Sequence, residues 1–372
     1  MTPGEVGRDD IRLMGLALAL GWRNNGRAWP NPSVGAVIAD PLTGRIIAQA
    51  ATQPGGRPHA ETVAIRAAGE AAAGAVLYVS LEPCSHHGRT PPCADAIVAA
   101  RLGRVVTALE DPDPRVAGRG HSRIVAAGIA VRTGVLSDEA RRAHRGHLTR
   151  IREGRPAVTL KLARTPDGYA ARLPGERRLM ISGEGAGHVV HLMRAHADAI
   201  LVGVDTVLAD DPHLNVRLPG LEDRSPLRVV FDTRLRMPLG SHVVASARLR
   251  PTWVVCGEDA DAECERALRA AGVEVMRSQV DAAGRLDLPA AMRLLGSHGL
   301  TRVFSEGGPT LADAMAREGL IDDLFIGTGS VALGRPGRPA LGPHLQAALD
   351  RDFRLVANRR IEDDTIAHFE RL

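Results

Sequence analysis

His59-Ala60-Glu61, followed downstream by Leu81-Glu82-Pro83-Cys84-Ser85-His86-His87-Gly88-Arg89-Thr90-Pro91-Pro92-Cys93, are the stretches around which the chain is organised. They offer one imidazole, two thiols and one carboxylate that is not needed as a ligand. A catalytic zinc takes three protein ligands in a tetrahedron and keeps its fourth position open. There it lowers the pKa of water to about 7. His59, Cys84 and Cys93 supply three ligands for Zn²⁺, and Glu61 is placed to shuttle protons. The competing arrangement is a closed site with His86 or His87 as fourth ligand, which would leave Glu61 without a task. Both metal-bearing runs stand at the start of predicted helices, where backbone N–H groups and the helix dipole favour a thiolate.

Working outward, Ile11, Leu13, Leu16, Leu18 and Leu20 predict a helix capped by Asp9 or Asp10 and ending near Asn24-Asn25-Gly26. Asn31-Pro32-Ser33 leads into a strand over 34–39, and the turn at Asp40-Pro41-Leu42-Thr43-Gly44 returns it over 45–51. A helix from His59 to Ala73, a strand over 75–81 and a helix from about Pro92 to Ala100 carry the metal-binding runs. Strands over 102–109 and 129–133, a helix over 120–127 and a charged helix from Ser137 to about Arg152 complete a layered α/β domain. Gly154-Arg155-Pro156 marks the boundary, giving domains 1–153 and 154–372.

The second domain alternates strands over 157–163, 199–202, 227–231, 252–256, 273–276, 302–305 and 324–328 with helices over 186–197, 260–271, 289–297 and 309–318. Strand residues Val303-Phe304-Ser305 run into Glu306-Gly307-Gly308-Pro309-Thr310, where two glycines let backbone approach a phosphate at a helix start. The segment from Gly203 to Arg217 offers Thr206, Asp210, Asp211 and Arg217 just beyond a buried strand, either for a phosphate-bearing ligand or as a solvated loop. Ligands of open α/β sheets sit at such carboxyl ends. Lys161, inside an apolar strand, needs a partner. Cys256 and Cys264 read as buried, inert thiols.

Composition narrows the function classes. With 372 residues, 44% of them hydrophobic, the chain can fill two cores. Only 3% are aromatic, so stacking platforms for single-stranded nucleic acid are scarce, and a zinc-stabilised nucleic-acid-binding module is disfavoured. The net charge of +4 suits a small anionic ligand. Four cysteines without a secretory leader point to a reducing compartment, hence the cytoplasm. No run of about 18 apolar residues predicts a membrane span.

The pattern H-x-E…P-C, closed here by a second cysteine after eight intervening residues, resembles that of zinc nucleobase deaminases. Together with Asn31-Pro32-Ser33-Val34-Gly35-Ala36-Val37, Asp111-Pro112-Asp113-Pro114 and Gly118-Arg119-Gly120, it resembles the bifunctional riboflavin-biosynthesis deaminase/reductase family. In the second half Leu160-Lys161-Leu162-Ala163, Asp167-Gly168, Leu192 to Arg217, Phe231-Asp232 and Glu306 to Leu311 match that family's reductase. The resemblance implies a cytidine-deaminase-like αβα sandwich and a dihydrofolate-reductase-like α/β domain. It implies hydrolytic deamination of 2,5-diamino-6-(5-phosphoribosylamino)pyrimidin-4-one, then NADPH-dependent reduction of the ribosyl group to the ribitylamino product. Zn²⁺ and NADPH are the expected cofactors. Carried over by position, Ala163, Met180, Thr206, Asp210, Gly308, Pro309 and Thr310 would contact cofactor. Asn31, Lys161, Arg194, Leu214, Arg217 and Glu306 would contact substrate. Met180 stands where the family usually has tryptophan. The expected partner is a small phosphoribosyl pyrimidine, with no nucleic acid and no membrane, in a homo-oligomer. An active deaminase fused to a degenerate, purely structural second domain is the alternative.

Overall fold

The computed structural model describes residues 7–88, 91–173, 176 and 179–372. Arg89 and Thr90 of the loop between the two cysteines, Pro174 and Gly175, and the first residues of the polar amino terminus lie outside the described residues. The chain divides after Gly154 into two compact units.

The first unit runs α1 (Arg8–Arg23), β1 (Gly35–Ala39), β2 (Ile46–Ala51), α2 (Ala60–Ala68), β3 (Val76–Val79), α3 (Cys93–Ala99), β4 (Arg104–Thr107), α4 (Arg119–Ala126), β5 (Ala130–Arg132), α5 (Ser137–Ala143) and α6 (Arg145–Glu153). The strands form one sheet in the order β2-β1-β3-β4-β5. The β1–β2 and β1–β3 pairs are antiparallel and the rest parallel. Alternate residues of one strand go to opposite cores: Ala36, Ile38 and Leu77 pack with α2, α3 and α4, while Val37, Ala39 and Tyr78 pack with α1 and α5. Burial on both faces explains why these strands read as continuous apolar runs. Helix α1 rests directly on β1, since a Cβ at Gly35 would lie 1.8 Å from the Ala17 carbonyl oxygen.

Two details depart from the sequence expectation. Helix α1 starts after Gly7 with no side-chain cap, and Asp10 instead turns inward, accepting from the Tyr78 hydroxyl at 3.0 Å and Arg104 at 2.8 Å. An internal carboxylate paired with a buried strand outweighs a cap at an exposed end. The charged helix expected from Ser137 breaks at His144, which leaves helical geometry and separates α5 from α6.

The second unit contains β6 (Ala157–Arg164), β7 (Tyr169–Ala171), α7 (Glu184–Ala195), β8 (Ala199–Gly203), α8 (Val204–Asp210), β9 (Leu227–Phe231), α9 (His242–Ala245), β10 (Thr252–Gly257), α10 (Ala262–Ala270), β11 (Glu274–Ser278), α11 (Leu288–Ser297), β12 (Arg302–Ser305), α12 (Pro309–Arg317), β13 (Asp323–Thr328), β14 (Arg338–Pro339), α13 (Pro343–Asp352), β15 (Phe353–Ile361) and β16 (Asp364–Arg371). A nine-stranded sheet has the order β11-β10-β9-β8-β12-β6-β13-β16-β15. Its pairings are parallel up to β13, and β16 is antiparallel to both neighbours. Strand order reverses between β8 and β12, and at such a point the following segments diverge and leave a crevice.

Three expectations are corrected here. The segment from Gly203, for which a solvated loop is the alternative to a ligand site, begins with a helix, α8, so Thr206 and Asp210 are held on helical backbone. Cys256 is buried, but Cys264 is exposed on α10. The carboxy-terminal hairpin β15–β16 was not foreseen, because its two-residue connection is Glu362-Asp363, with Glu362 at φ 54° where Gly or Asn is usual. Among the described residues no helix is long and apolar enough to cross a membrane.

Candidate active sites

In the first unit the structure brings His59, Cys84 and Cys93 together, with one ligand atom of each lying within 4.8 Å of the others. His59 is the residue before α2 and Cys93 the first of α3, while Cys84 follows the end of β3. His59 Nδ1 lies 3.3 Å from Cys93 Sγ and 3.6 Å from Cys84 Sγ. Tetrahedral zinc with ordinary Zn–N and Zn–S bonds sets its ligands about 3.5 Å apart, so the three side chains fit the ion. The Cys84 thiol is drawn down to about 4, first by the hydrogen bond from Cys93, and the Cys93 backbone N–H also donates to its sulfur at 3.3 Å. Cys93 in turn is pushed up by that hydrogen bond and by burial. Two sulfurs competing over one proton are a pair that a divalent cation relieves.

Glu61 lies in the first turn of α2, only 3% exposed, and burial raises its pKa while His59 and Cys84 act on it electrostatically. His86 and His87 stay outside the three-residue cluster, and no fourth side chain joins it among the described residues. Asn31 Nδ2 donates to the Gly56 carbonyl at 2.8 Å and lies 3.5 Å from His59 Nε2. Sequence reasoning overlooked Glu82. Its buried carboxylate accepts from the backbone N–H groups of Asp111, Gly118, Gly120 and His121 at 2.9–3.2 Å. A Cβ at Gly120 would lie 2.0 Å from the Pro83 carbonyl oxygen, so the first turn of α4 closes directly on the segment that carries Cys84.

The second unit holds a cavity of about 810 Å³ where α8 follows β8 and α12 follows β12. Lys161, Ala163, Arg194, Thr206, Asp210 and Leu214 line it, as do Glu306, Gly308, Pro309 and Thr310. Arg194 and Glu306 are bonded to each other, Nε to Oε1 at 2.5 Å and a second nitrogen to Oε2 at 2.8 Å. Burial works against the Glu306 carboxylate, but Arg194 and then Lys161 hold its pKa below the ordinary value. Burial lowers Lys161. Gly308 leaves an open cradle, since a Cβ there would meet only Thr206 Oγ1, at 4.0 Å. Bare backbone at the start of α12, beside a hydroxyl, suits a phosphate, so these residues fit a dinucleotide such as NADPH.

Two expected contacts fall elsewhere. Met180 is 77% exposed and absent from the cavity wall. Arg217 is likewise off the wall; its N–H donates to His191 Nδ1 at 3.2 Å and its guanidinium to Asn215. The structure adds Arg234, Arg236 and Arg285, all lining the cavity. Arg236 and Arg285 are paired with Asp205 and Asp281, whereas no carboxylate pairs with Arg234 among the described residues. No sequence signal distinguished these from other surface arginines.

Comparison with known proteins finds one family model in each unit. Residues 8–109 match the cytidine and deoxycytidylate deaminase zinc-binding region, and residues 156–367 match the RibD C-terminal domain. The chain is 38% identical to the riboflavin biosynthesis protein RibD of Escherichia coli, over 96% of this chain and 98% of that protein. It is 40% identical to RibD of Mycobacterium tuberculosis, over 87% and 86% respectively. A solved structure of Acinetobacter baumannii RibD superposes with a TM-score of 0.85 at 33% identity, covering 98% of this chain and 99% of that one. A Thermotoga maritima structure described as a diaminohydroxyphosphoribosylaminopyrimidine deaminase/5-amino-6-(5-phosphoribosylamino)uracil reductase gives 0.83 at 29% identity with the same coverage. With relatives matched end to end and both halves accounted for, the chain belongs to the RibD family of riboflavin biosynthesis proteins, joining a zinc deaminase to an NADPH-dependent reductase.

Proposed function

We propose that His59, Cys84 and Cys93 hold the zinc, that Glu61 carries the protons of deamination, and that the cavity of the second unit takes NADPH and the phosphoribosyl substrate. The deaminase is assigned to residues 1–153 and the reductase to 154–372, and the division after Gly154 supports that assignment. The carrying observation is the convergence of one imidazole and two sulfurs within 4.8 Å, with the buried Glu61 two residues from the histidine.

Bound zinc supplies an electrophile that makes water acidic near neutral pH. Glu61 accepts a proton from the water that attacks C2 of 2,5-diamino-6-(5-phosphoribosylamino)pyrimidin-4-one. It passes protons to the neighbouring ring nitrogen and then to the departing 2-amino group, which leaves as ammonia while C2 becomes a carbonyl. Asn31, tied to Gly56, orients the pyrimidine beside His59.

In the reductase, bound NADPH would supply the hydride for C1 of the opened, imine-like ribosyl group, whose nitrogen takes up a proton from solvent. The Gly308 cradle and Thr206 receive its phosphates, with Ala163, Asp210, Pro309 and Thr310 beside them. Lys161 polarises the sugar, and Arg194 with Glu306 and Leu214 frames the substrate. Arg234, lacking a carboxylate partner, is the candidate for the 2′-phosphate. The cavity and the intact Arg194–Glu306 pair favour a working second domain over a purely structural one. The free thiols support a cytoplasmic location. The edge strand β15, with Leu355 and Val356 exposed, supports a homo-oligomer.

A coupled assay tests the reading. The diaminopyrimidine phosphate alone should release ammonia without oxidising NADPH, and adding NADPH should then give oxidation no faster than ammonia appears. Ammonia release that persists in Glu61→Gln, or after zinc removal, overturns the deaminase assignment. NADPH that is neither bound nor oxidised returns the structural second domain.

A further inference from the structure

The deaminase zinc-binding match ends at residue 109, yet α6, the last helix of that unit, and the residue before it reach three segments near the proposed metal site. His144, immediately before α6, meets Ser80 Oγ through Nε2 at 3.1 Å, and that oxygen also accepts from the Gly35 N–H at 3.0 Å. Ser80 opens the segment that ends at Cys84. His147 meets Asp111 Oδ1 through Nε2 at 3.0 Å, both residues being under 9% exposed. Asp111 N–H in turn donates to Glu82, and a few residues on the Arg115 carbonyl accepts from Ser85 Oγ at 3.3 Å. Arg150 donates to the Pro30 carbonyl at 2.9 Å, one residue before Asn31. His147 and Arg150 are three residues apart on α6, and His144 stands immediately before it.

We infer that His144, His147 and Arg150 form a polar stripe that sets the geometry of the deaminase site from behind. They are positioning residues and touch no substrate. Two features separate this role from ordinary packing. Buried imidazoles are costly to place in a core unless their nitrogens are satisfied, and an apolar side chain would fill the same space without that demand. The partners, moreover, lie on connecting segments beyond strand ends, the parts of a fold with most freedom to move. Catalysis punishes such freedom, since a misplacement of about 1 Å can lower a rate about 100-fold.

The inference rests on the site assignment above, and Glu61→Gln reports on that assignment separately. The test uses the full-length, zinc-loaded protein. Ammonia release, zinc content and NADPH-dependent reduction of the separately supplied deaminated intermediate are followed for His147→Leu, His147→Gln and Arg150→Ala. His147→Leu should lower kcat for ammonia release at least tenfold, with zinc content and reduction rate unchanged. His147→Gln, which keeps an N–H donor, should recover most of that loss, and Arg150→Ala should cost several-fold. Wild-type ammonia release in both His147→Leu and Arg150→Ala overturns the inference. So does a glutamine variant no better than leucine, or a parallel fall in both activities. If His147→Leu does not fold, the half-exposed Arg150→Ala decides: a selective loss of ammonia release supports the stripe, and an unchanged rate overturns it.

Discussion

At the scale of single residues, chemistry depends on groups whose charge the fold has fixed. Replacing Glu61 by Gln keeps shape and removes the proton carrier, so ammonia release should fall at least 100-fold while zinc stays bound. Steady-state ammonia assays with metal analysis check this. Arg194 and Glu306 are bidentate and mostly buried, with side chains 11% and 16% exposed. Arg194→Met strands the carboxylate and should destabilise the second unit by roughly 3 kcal/mol, measured by urea unfolding. His191 is held neutral, its pKa lowered to about 4 by burial and by Arg194 and Arg217. Its neutral Nδ1 accepts the Arg217 N–H. The folded value lies below the ordinary 6.5, so the unfolded chain binds the proton first. Second-unit stability should therefore be full above pH 6.5 and fall between about 6.5 and 4. His191→Asn should remove that part of the slope in thermal melts taken across this range.

At the scale of elements, strand ends matter more than strand centres. Glu82 stands just past β3 and gathers four backbone N–H groups, two from the segment between β4 and α4 and two from the first turn of α4. Glu82→Gln turns an acceptor edge into a donor facing donors, and should cost about 3 kcal/mol and weaken zinc retention under a chelator. Chemical unfolding with a zinc-release assay reads both. The sequence presented Leu81-Glu82-Pro83-Cys84 as a family match, but the duty of its glutamate was hidden. The partners lie 29 to 39 residues away and are backbone groups, which carry no side-chain signature. Helix α8 was missed for a related reason. Its run of Asp, Thr and Asp residues resembles a turn, and only packing of Val204 and Val207 into the core makes it helical.

At the scale of the molecule, two compact units with separate cores should unfold in separate transitions. Zinc removal should lower only the first unit's transition. NADPH at about 100 times its Kd should raise only the second, by about 2.7 kcal/mol. Differential scanning calorimetry decides, and one transition that moves with both ligands would contradict this expectation.

What the sequence determined by itself was the chemistry and the alternation of elements. His59, Glu61, Cys84 and Cys93 declare a metal centre by residue type and order, and buried parallel strands announce themselves as apolar runs between helices. What only the tertiary structure decided was which distant groups meet. Arg194 found Glu306 across 112 residues, Asp10 turned inward to Tyr78, and His144, His147 and Arg150 reached three separate segments. The reason is physical: ligand spacing and helical period are local and can be read along the chain. A buried charge's partner is set by how sheets and helices close in space, and no local pattern encodes that.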